Sequence, residues 1–354
     1  MTLSSRIVRA IAPMGLISLL GAGCFGGTAK PVGLDGGVFR TRDNGTVWQQ
    51  LSTLNLGTKI GSIADVGVQS MAIDPQDSQA MYVGTVENGL LYSLDGGASW
   101  AQAKGLTTGR ISVIGVDPKD KCTIYAARGN QIHKTTNCSR DWNLVYVDSR
   151  PEVAFSVLTV DWFNAKRLYT GTTLGDIFRS DDGGTSWARL SQPESARISG
   201  IAIDPRDSRV VYVSTDGSGL LKSGDAGTTW DRIYKQFETF DYARRAKILV
   251  VDPSLANTLY TVSKFGILRS QDGGATWNAL NLPTPPDTTD IRAMVVHPTN
   301  SSRIVYATNT NIVFTVDGGK TWMPKKLPTR RGVSAMLFDN VSSTSLFLGA
   351  SQLK

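Results

Sequence analysis

Two kinds of residue in this 354-residue chain could do chemistry: arginines that precede a recurring Asp-Pro pair, and aspartates that stand inside a recurring eight-residue phrase. Asp-Pro or its close variant occurs at Asp74-Pro75, Asp117-Pro118, Asp204-Pro205, Asp252-Pro253 and His297-Pro298. Counting back seven residues from the aspartate reaches Arg110, Arg197 and Arg245, while Arg292 and Arg331 fall within two residues of equivalent positions. Guanidinium groups gathered at one place suit carboxylates or an acidic protein segment, because each offers a planar fork of donors; set against that is the plainer reading of solvated loop charges. Carboxylates for glycoside chemistry are present in Glu87, Glu152, Asp161 and Asp290, with Trp162 beside Asp161. By register, however, Asp161-Trp162 replaces an Asp-Pro turn, which makes packing its expected role. The only histidines are His133 and His297; neither has a ligand partner at metal spacing, and His297 stands where a turn aspartate is expected. No Gly-x-Ser-x-Gly, phosphate loop or dinucleotide fingerprint is found, so neither a metal nor an organic cofactor is expected.

The eight-residue phrase, Ser/Thr-x-Asp-x-Gly-x-Thr/Ser-Trp, accounts for Asp95, Asp182, Asp225, Asp272 and Asp317, and in a worn copy Asp43. A second worn copy, 135–142, keeps Trp142 but has Asn137 for the aspartate. Seven of the eight tryptophans, Trp48, Trp100, Trp142, Trp187, Trp230, Trp277 and Trp322, close these copies at intervals of 42 to 52 residues. A turn that occurs seven times is scaffold, not seven active sites. Its aspartate can accept backbone N–H bonds, its glycine permits positive φ, and its tryptophan can insert between neighbouring sheets, worth roughly 2–3 kcal/mol each if fully buried.

Each period reads as inner strand, Asp-Pro turn, second strand, short loop, third strand, aspartate phrase and outer strand, the near-continuous apolar runs suiting strands covered on both faces. A period near 45 of this kind predicts a propeller blade. The first unit has only a third and an outer strand, 37–40 and 48–51, and the last only the inner two, 333–338 and 345–348. Joined, they complete one blade from both termini. The predicted fold is all-β: a seven-bladed β-propeller of four-stranded antiparallel blades, spanning 34–354 as a single domain and expected to be a monomer. The repeated turns should share one face, leaving the opposite face, with its variable loops, for function.

The longest blade connection, 234–247, carries Tyr234, Phe237, Phe240 and Tyr242 beside Arg244 and Arg245, the composition of an interface hot spot, although the spacing of three equally suits local packing on the rim.

Residues 1–23 combine a basic start, an apolar stretch and a small-residue end before Cys24, the pattern of an export signal. It resembles a bacterial lipoprotein signal, which implies lipid attachment at Cys24, a short tether over 24–33 and anchorage in the cell envelope. Gly21 departs from the aliphatic residue expected there. The other cysteines, Cys122 and Cys138, bracket a predicted hairpin and are expected to form a disulfide, which export permits. The formal net charge is +7; this mild excess falls well short of a nucleic-acid signature, and export argues against that partner.

The aspartate phrase resembles the Asp-box, or bacterial neuraminidase, repeat shared by sialidases, xyloglucanases, sortilin-type receptors and the photosystem II stability and assembly factor family. Seven blades in one domain with an export signal are most similar to the assembly factors. That resemblance implies a non-enzymatic propeller that binds partner proteins, often membrane proteins during assembly. The alternative is a glycan-binding or glycan-cleaving propeller. Against it, Phe39-Arg40 is followed by Thr41-Arg42 rather than the sialidase pattern, and a xyloglucanase works between two propellers.

Overall fold

The computed structural model describes residues 34–191, 196–233, 237, 239–342 and 344–352. The expected signal at 1–23, the tether at 24–33, Cys24 and Tyr234 lie outside them.

Seven four-stranded antiparallel sheets are present. Blade 1 is built from both ends of the chain: Gly37–Thr41 pairs with Leu346–Ser351 on one side and with Gln49–Leu51 on the other, and Gly332–Phe338 lies innermost. Blades 2 to 7 follow in chain order, with inner strands Val68–Ile73, Val113–Val116, Phe155–Val160, Ile198–Ile203, Ile248–Val251 and Ala293–His297. These inner strands neighbour one another in a closed ring. Pairing the terminal strands removes the open edge that a linear array of sheets would expose. One element was not expected from the sequence: a two-stranded hairpin, Thr53–Asn55 with Ile60–Ser62, in the connection from blade 1 to blade 2.

The core is divided among the blade interfaces. Seven hydrophobic clusters form, each joining two neighbouring blades and each touched by one phrase tryptophan. Trp100 is wholly buried between blades 1 and 2, with its indole N–H donating to Leu51 O at 3.0 Å. Trp277 is also buried, whereas Trp48, Trp142, Trp187, Trp230 and Trp322 are half-buried. The estimate made for a fully buried ring therefore applies to two positions and is an upper bound for the other five.

The aspartate phrases are closed loops of hydrogen bonds. In blade 2, Ser93 Oγ donates to Asp95 Oδ1 at 2.7 Å, the Ser99 amide donates to the same oxygen at 2.8 Å, and Ser99 Oγ takes Oδ2 at 2.6 Å. The worn copy in blade 3 keeps this pattern with Asn137 Oδ1, which accepts from Thr135 Oγ1 and the Asp141 amide. These donors hold Asp182, Asp225 and Asp272 at about 2, led by the Ser186 hydroxyl, the Thr229 amide and the Thr276 hydroxyl respectively.

The turns after the inner strands are capped as regularly. Asp74, Asp117, Asp161, Asp204, Asp252 and Asp339 each accept the amide two residues on at 2.8–2.9 Å. His297 Nδ1 accepts the Thr299 amide in the same way at 3.2 Å, so the imidazole substitutes for the carboxylate. In blades 3 to 6 the third-strand cation before the phrase also reaches the next blade: Lys134, Arg179, Lys222 and Arg269 donate to the carbonyls of Gly183, Ala226, Gly273 and Gly318.

Cys122 and Cys138 are bridged across the hairpin formed by Ile124–Arg128 and Gln131–Thr135, at a sequence separation of 16.

Candidate functional site

The inner strands enter the ring from the face opposite the repeated turns, and two successive positions there behave differently. The first is apolar in every blade: Val68, Ile111, Phe155, Ile198, Ala246, Ile291 and Val333, all buried. The next is Gln69, Ser112, Ser156, Ser199, Lys247, Arg292 and Ser334. The four serines act as staples. Ser112, Ser156 and Ser334 donate to the carbonyls of Phe155, Ile198 and Val68 in the following blade, each at 2.7 Å, and Ser199 donates to Ala246 O. In blades 4, 5 and 1 a local irregularity in strand pairing turns this residue out of the ladder towards its neighbour.

Gln69, Lys247 and Arg292 line a cavity of about 750 Å³ at the channel mouth, together with Arg110, Arg197 and Arg331. Four of the five cations in this cavity, Arg110, Arg197, Arg292 and Arg331, stand at or near the positions that register around the ring predicts. Arg244 and Arg245 are exposed, and neither lines the cavity. The backbone of Arg245 is tied to Asp216 in an isolated bridge and that of Arg244 accepts the Gly219 amide, which leaves Lys247, two residues on, to reach the mouth. Lys247, which a count of seven back from the turn aspartate does not reach, stands five residues before Asp252, where four other blades carry serine.

The aromatic connection divides between packing and exposure. Phe237 is buried with its ring 5.2 Å from that of Trp277, and Phe240 packs edge-on to Phe265 at 5.1 Å, so local packing occupies both. Tyr242 alone among the described aromatics of this loop is exposed, with Lys264 Nζ 4.8 Å from its ring centre.

The charges at the mouth fall into three groups. Asp290 is bracketed by Lys247 Nζ at 2.9 Å and Arg292 Nη1 at 3.1 Å. Burial pulls the Asp290 carboxyl upward, but the Lys247 and Arg292 donors outweigh it and hold the group below the usual carboxylate range. Arg331 lies across Gly36, where a Cβ would come within 2.4 Å of Nη1, and donates to Asp65 O at 2.8 Å. Arg110 and Arg197 form the third group. Burial lowers the Arg110 pKa first, and the like charge of Arg197 lowers it further. Neither guanidinium has a carboxylate partner among the described residues. Two neighbouring cations left uncompensated in a concave site favour an anion able to accept from both.

The acidic lining consists of Asp65, Glu87 and Asp290. Of the carboxylates considered for glycoside chemistry, Glu87 and Asp290 are therefore at the mouth, while Glu152 is exposed outside the cavity. Asp161 is wholly buried in its turn, capping the Phe163 and Asn164 amides and facing Arg167 Nη1 at 3.8 Å. Trp162 donates through its indole to Asp204 O at 2.9 Å, tying one turn to the next. Both are structural. His133 is buried and held neutral, its pKa pushed down to about 4 by burial and then by Arg128. Among the described residues no group of three His, Cys, Asp or Glu could hold a metal ion, and no helix is long and apolar enough to cross a membrane.

Known proteins resemble this chain in two ways. A xyloglucanase from Paenibacillus sp. is 27% identical over 201 residues, which is 52% of this chain but only 19% of that protein. Among solved structures, the GH74 enzyme of Niastella koreensis superposes with a TM-score of 0.66 at 17% identity, over 81% of this chain and 51% of the enzyme. The chain thus spans about a fifth of the xyloglucanase and about half of the GH74 enzyme. A structure described as YCF48 bound to D1 peptide superposes with a TM-score of 0.63 at 16% identity, covering 81% of this chain and 93% of that one. YCF48 from Cyanidioschyzon merolae gives 0.61 at 12% identity, over 80% and 96%. At these identities the superpositions establish the fold alone. The profile of the family described as Photosynthesis system II assembly factor YCF48 matches residues 20–199, just over half of the 354, and the chain belongs to that family.

Proposed function

We propose that this propeller is a non-enzymatic binding module that holds an acidic segment of a partner protein at the channel mouth, and that it does so as an exported, lipid-anchored assembly or stability factor. The observation that carries this reading is the Arg110–Arg197 pair, two cations sharing one cavity with no ion-pair partner among the described residues. An incoming carboxylate would gain charge-assisted hydrogen bonds without first displacing an internal partner, whereas the Asp290 cluster already neutralises itself. Family membership and the peptide complex of a structural relative support a protein ligand. The expected partner is a membrane protein in the same envelope.

The test is capture from detergent-solubilised envelopes with wild type and an Arg110→Glu/Arg197→Glu variant. A membrane protein retained by wild type and lost by the folded variant supports the reading. Equal capture by both forms sinks it.

A second reading, a glycan-binding or glycan-cleaving propeller, is favoured by the presence of Asp65, Glu87 and Asp290 in one cavity and by the likeness to a xyloglucanase. Glycoside hydrolysis needs an acid kept protonated opposite a second carboxylate, roughly 5–10 Å away. Asp290 cannot be that acid, because its two cations keep it ionised, which leaves the role to Glu87 or Asp65. Hydrolysis of xyloglucan oligosaccharides that disappears in Glu87→Gln would establish this reading in place of the first.

A further inference from the structure

The hairpin between blades 1 and 2 presents apolar surface for which the propeller has no use. Ile60 is 83% exposed, the largest value for any big apolar side chain among the described residues, and Leu56 is 53% exposed. Neither is there by loose folding. The hairpin is pinned along its inner edge, where the Asn55 amide donates to Trp100 O at 2.7 Å and the Trp100 amide to Thr53 O at 2.9 Å. Its turn is closed by the Leu56 amide on Lys59 O and the Gly57 amide on Asn55 Oδ1. Leu54 packs into the core between blades 1 and 2, so the hairpin has one buried anchor and two apolar side chains held outward. From Thr53 to Ser62 the only charged residue is Lys59.

Its position relative to the chain entry identifies what it meets. The Gly36 amide donates to Ala64 O and the Gly37 amide to Val66 O, so the hairpin base is bonded to the first described strand. Leu34, also exposed, lies a few residues before that strand. Leu34 lies ten positions after Cys24, a stretch that can reach roughly 35 Å at most. A lipid on Cys24 would therefore keep this side of the propeller close to the bilayer. A small rigid apolar projection with one lysine and no acid suits the interface of an anionic membrane, where the leucine and isoleucine enter the acyl boundary and the lysine stays at the headgroups.

We infer that the 53–62 hairpin is a membrane-docking element that fixes the orientation of the anchored propeller. The inference rests on the lipid-anchor reading of Cys24, and the experiment separates the two. The protein is expressed from the full chain with its leader and purified after processing by the host, so that Cys24 carries the lipid if one is attached; with Thr58→Cys labelled by an environment-sensitive nitrobenzoxadiazole dye, it is reconstituted into phosphatidylethanolamine and phosphatidylglycerol vesicles. Flotation with the vesicles reads the anchor; dye emission and quenching by spin-labelled lipid read the hairpin. The expected result is flotation, at least a twofold rise in emission with lipid quenching, and loss of half or more of that rise in Leu56→Ser/Ile60→Ser at unchanged flotation and melting temperature. A dye that remains in water while the protein floats overturns docking and leaves the anchor standing. A chain that does not float overturns both, because two side chains alone cannot hold it on the bilayer.

Discussion

The two faces of this propeller are made from the same strands and differ in how their polar groups are used. On the repeated face every inner-strand turn has its cap, the aspartate phrases are bonded internally, and third-strand cations tie one blade to the next. At the channel mouth the corresponding device, a serine staple to the next inner strand, operates in blades 1 to 5, through Ser70 in blade 2, while Lys247 and Arg292 stand in its place in blades 6 and 7. Repetition thus marks where polar groups recur in the same contacts from blade to blade, even though Asp74 Oδ2, Asp252 Oδ2 and the Trp48 and Trp230 indoles are buried there without a hydrogen-bond partner among the described residues. Departures from it mark where they are left for solvent or a ligand, and that contrast is what mutations can break or sharpen.

The largest effect is expected at the repeated side. Trp100→Ala removes a wholly buried ring from a blade interface, and large-to-small changes of this kind cost about 3–5 kcal/mol. The half-buried Trp322 should lose clearly less. Denaturant unfolding of both variants checks the ranking, and equal losses would show that burial does not set it. Next, Cys122→Ser/Cys138→Ser opens a loop with a separation of 16, for which chain entropy gives about 3 kcal/mol; the melting temperature should fall while partner capture at low temperature is kept.

At the mouth the order reverses. Arg110→Glu/Arg197→Glu should leave unfolding within about 0.5 kcal/mol of wild type, as exposed or uncompensated surface charges usually do, while weakening an acidic peptide by about tenfold or more. Titration calorimetry at two salt concentrations measures it, and Arg245→Glu serves as the internal control, since Arg245 does not line the cavity. Ser156→Ala should be small on both counts, about 1 kcal/mol of stability for the lost staple to Ile198 O.

The smallest effect is titration of the aspartate phrases. Asp182, Asp225 and Asp272 are depressed to about 2 by their hydroxyl and amide donors. Their contribution is present in full above the unfolded carboxyl value near 3.9 and is lost as pH falls towards 2. Because these groups face water, the loss per group is modest. The denaturation midpoint should decline between pH 4 and 2 and be flat from 5 to 7, and Asp182→Asn should blunt the decline.

Much of this molecule was legible in the sequence because its cause is local. An aspartate two residues after a hydroxyl and four before another closes a turn wherever it occurs, so seven copies fixed the blade count and the strand order. The half-blades at the two ends disclosed their own pairing, which Gly37–Thr41 and Leu346–Ser351 complete. Arg110, Arg197, Arg292 and Arg331 could be placed at the mouth because register carries position around a ring.

The tertiary structure decided what depends on contacts between blades. The sequence ranks all seven tryptophans alike, yet only Trp100 and Trp277 are buried, since the neighbouring blade sets how far each ring is covered. It marks Phe237 and Phe240 as readily for a partner as for packing, and Trp277 and Phe265 take them up. It places Arg245 by count, while a backbone bridge to Asp216 keeps Arg245 from the cavity that Lys247 reaches. It gives no sign that Asp290 is neutralised from two sides or that Arg110 and Arg197 share the cavity with no ion-pair partner among the described residues. Spacing along the chain determines which turn forms; charge balance at the channel mouth is set by side chains from different blades, and only ring closure brings those together.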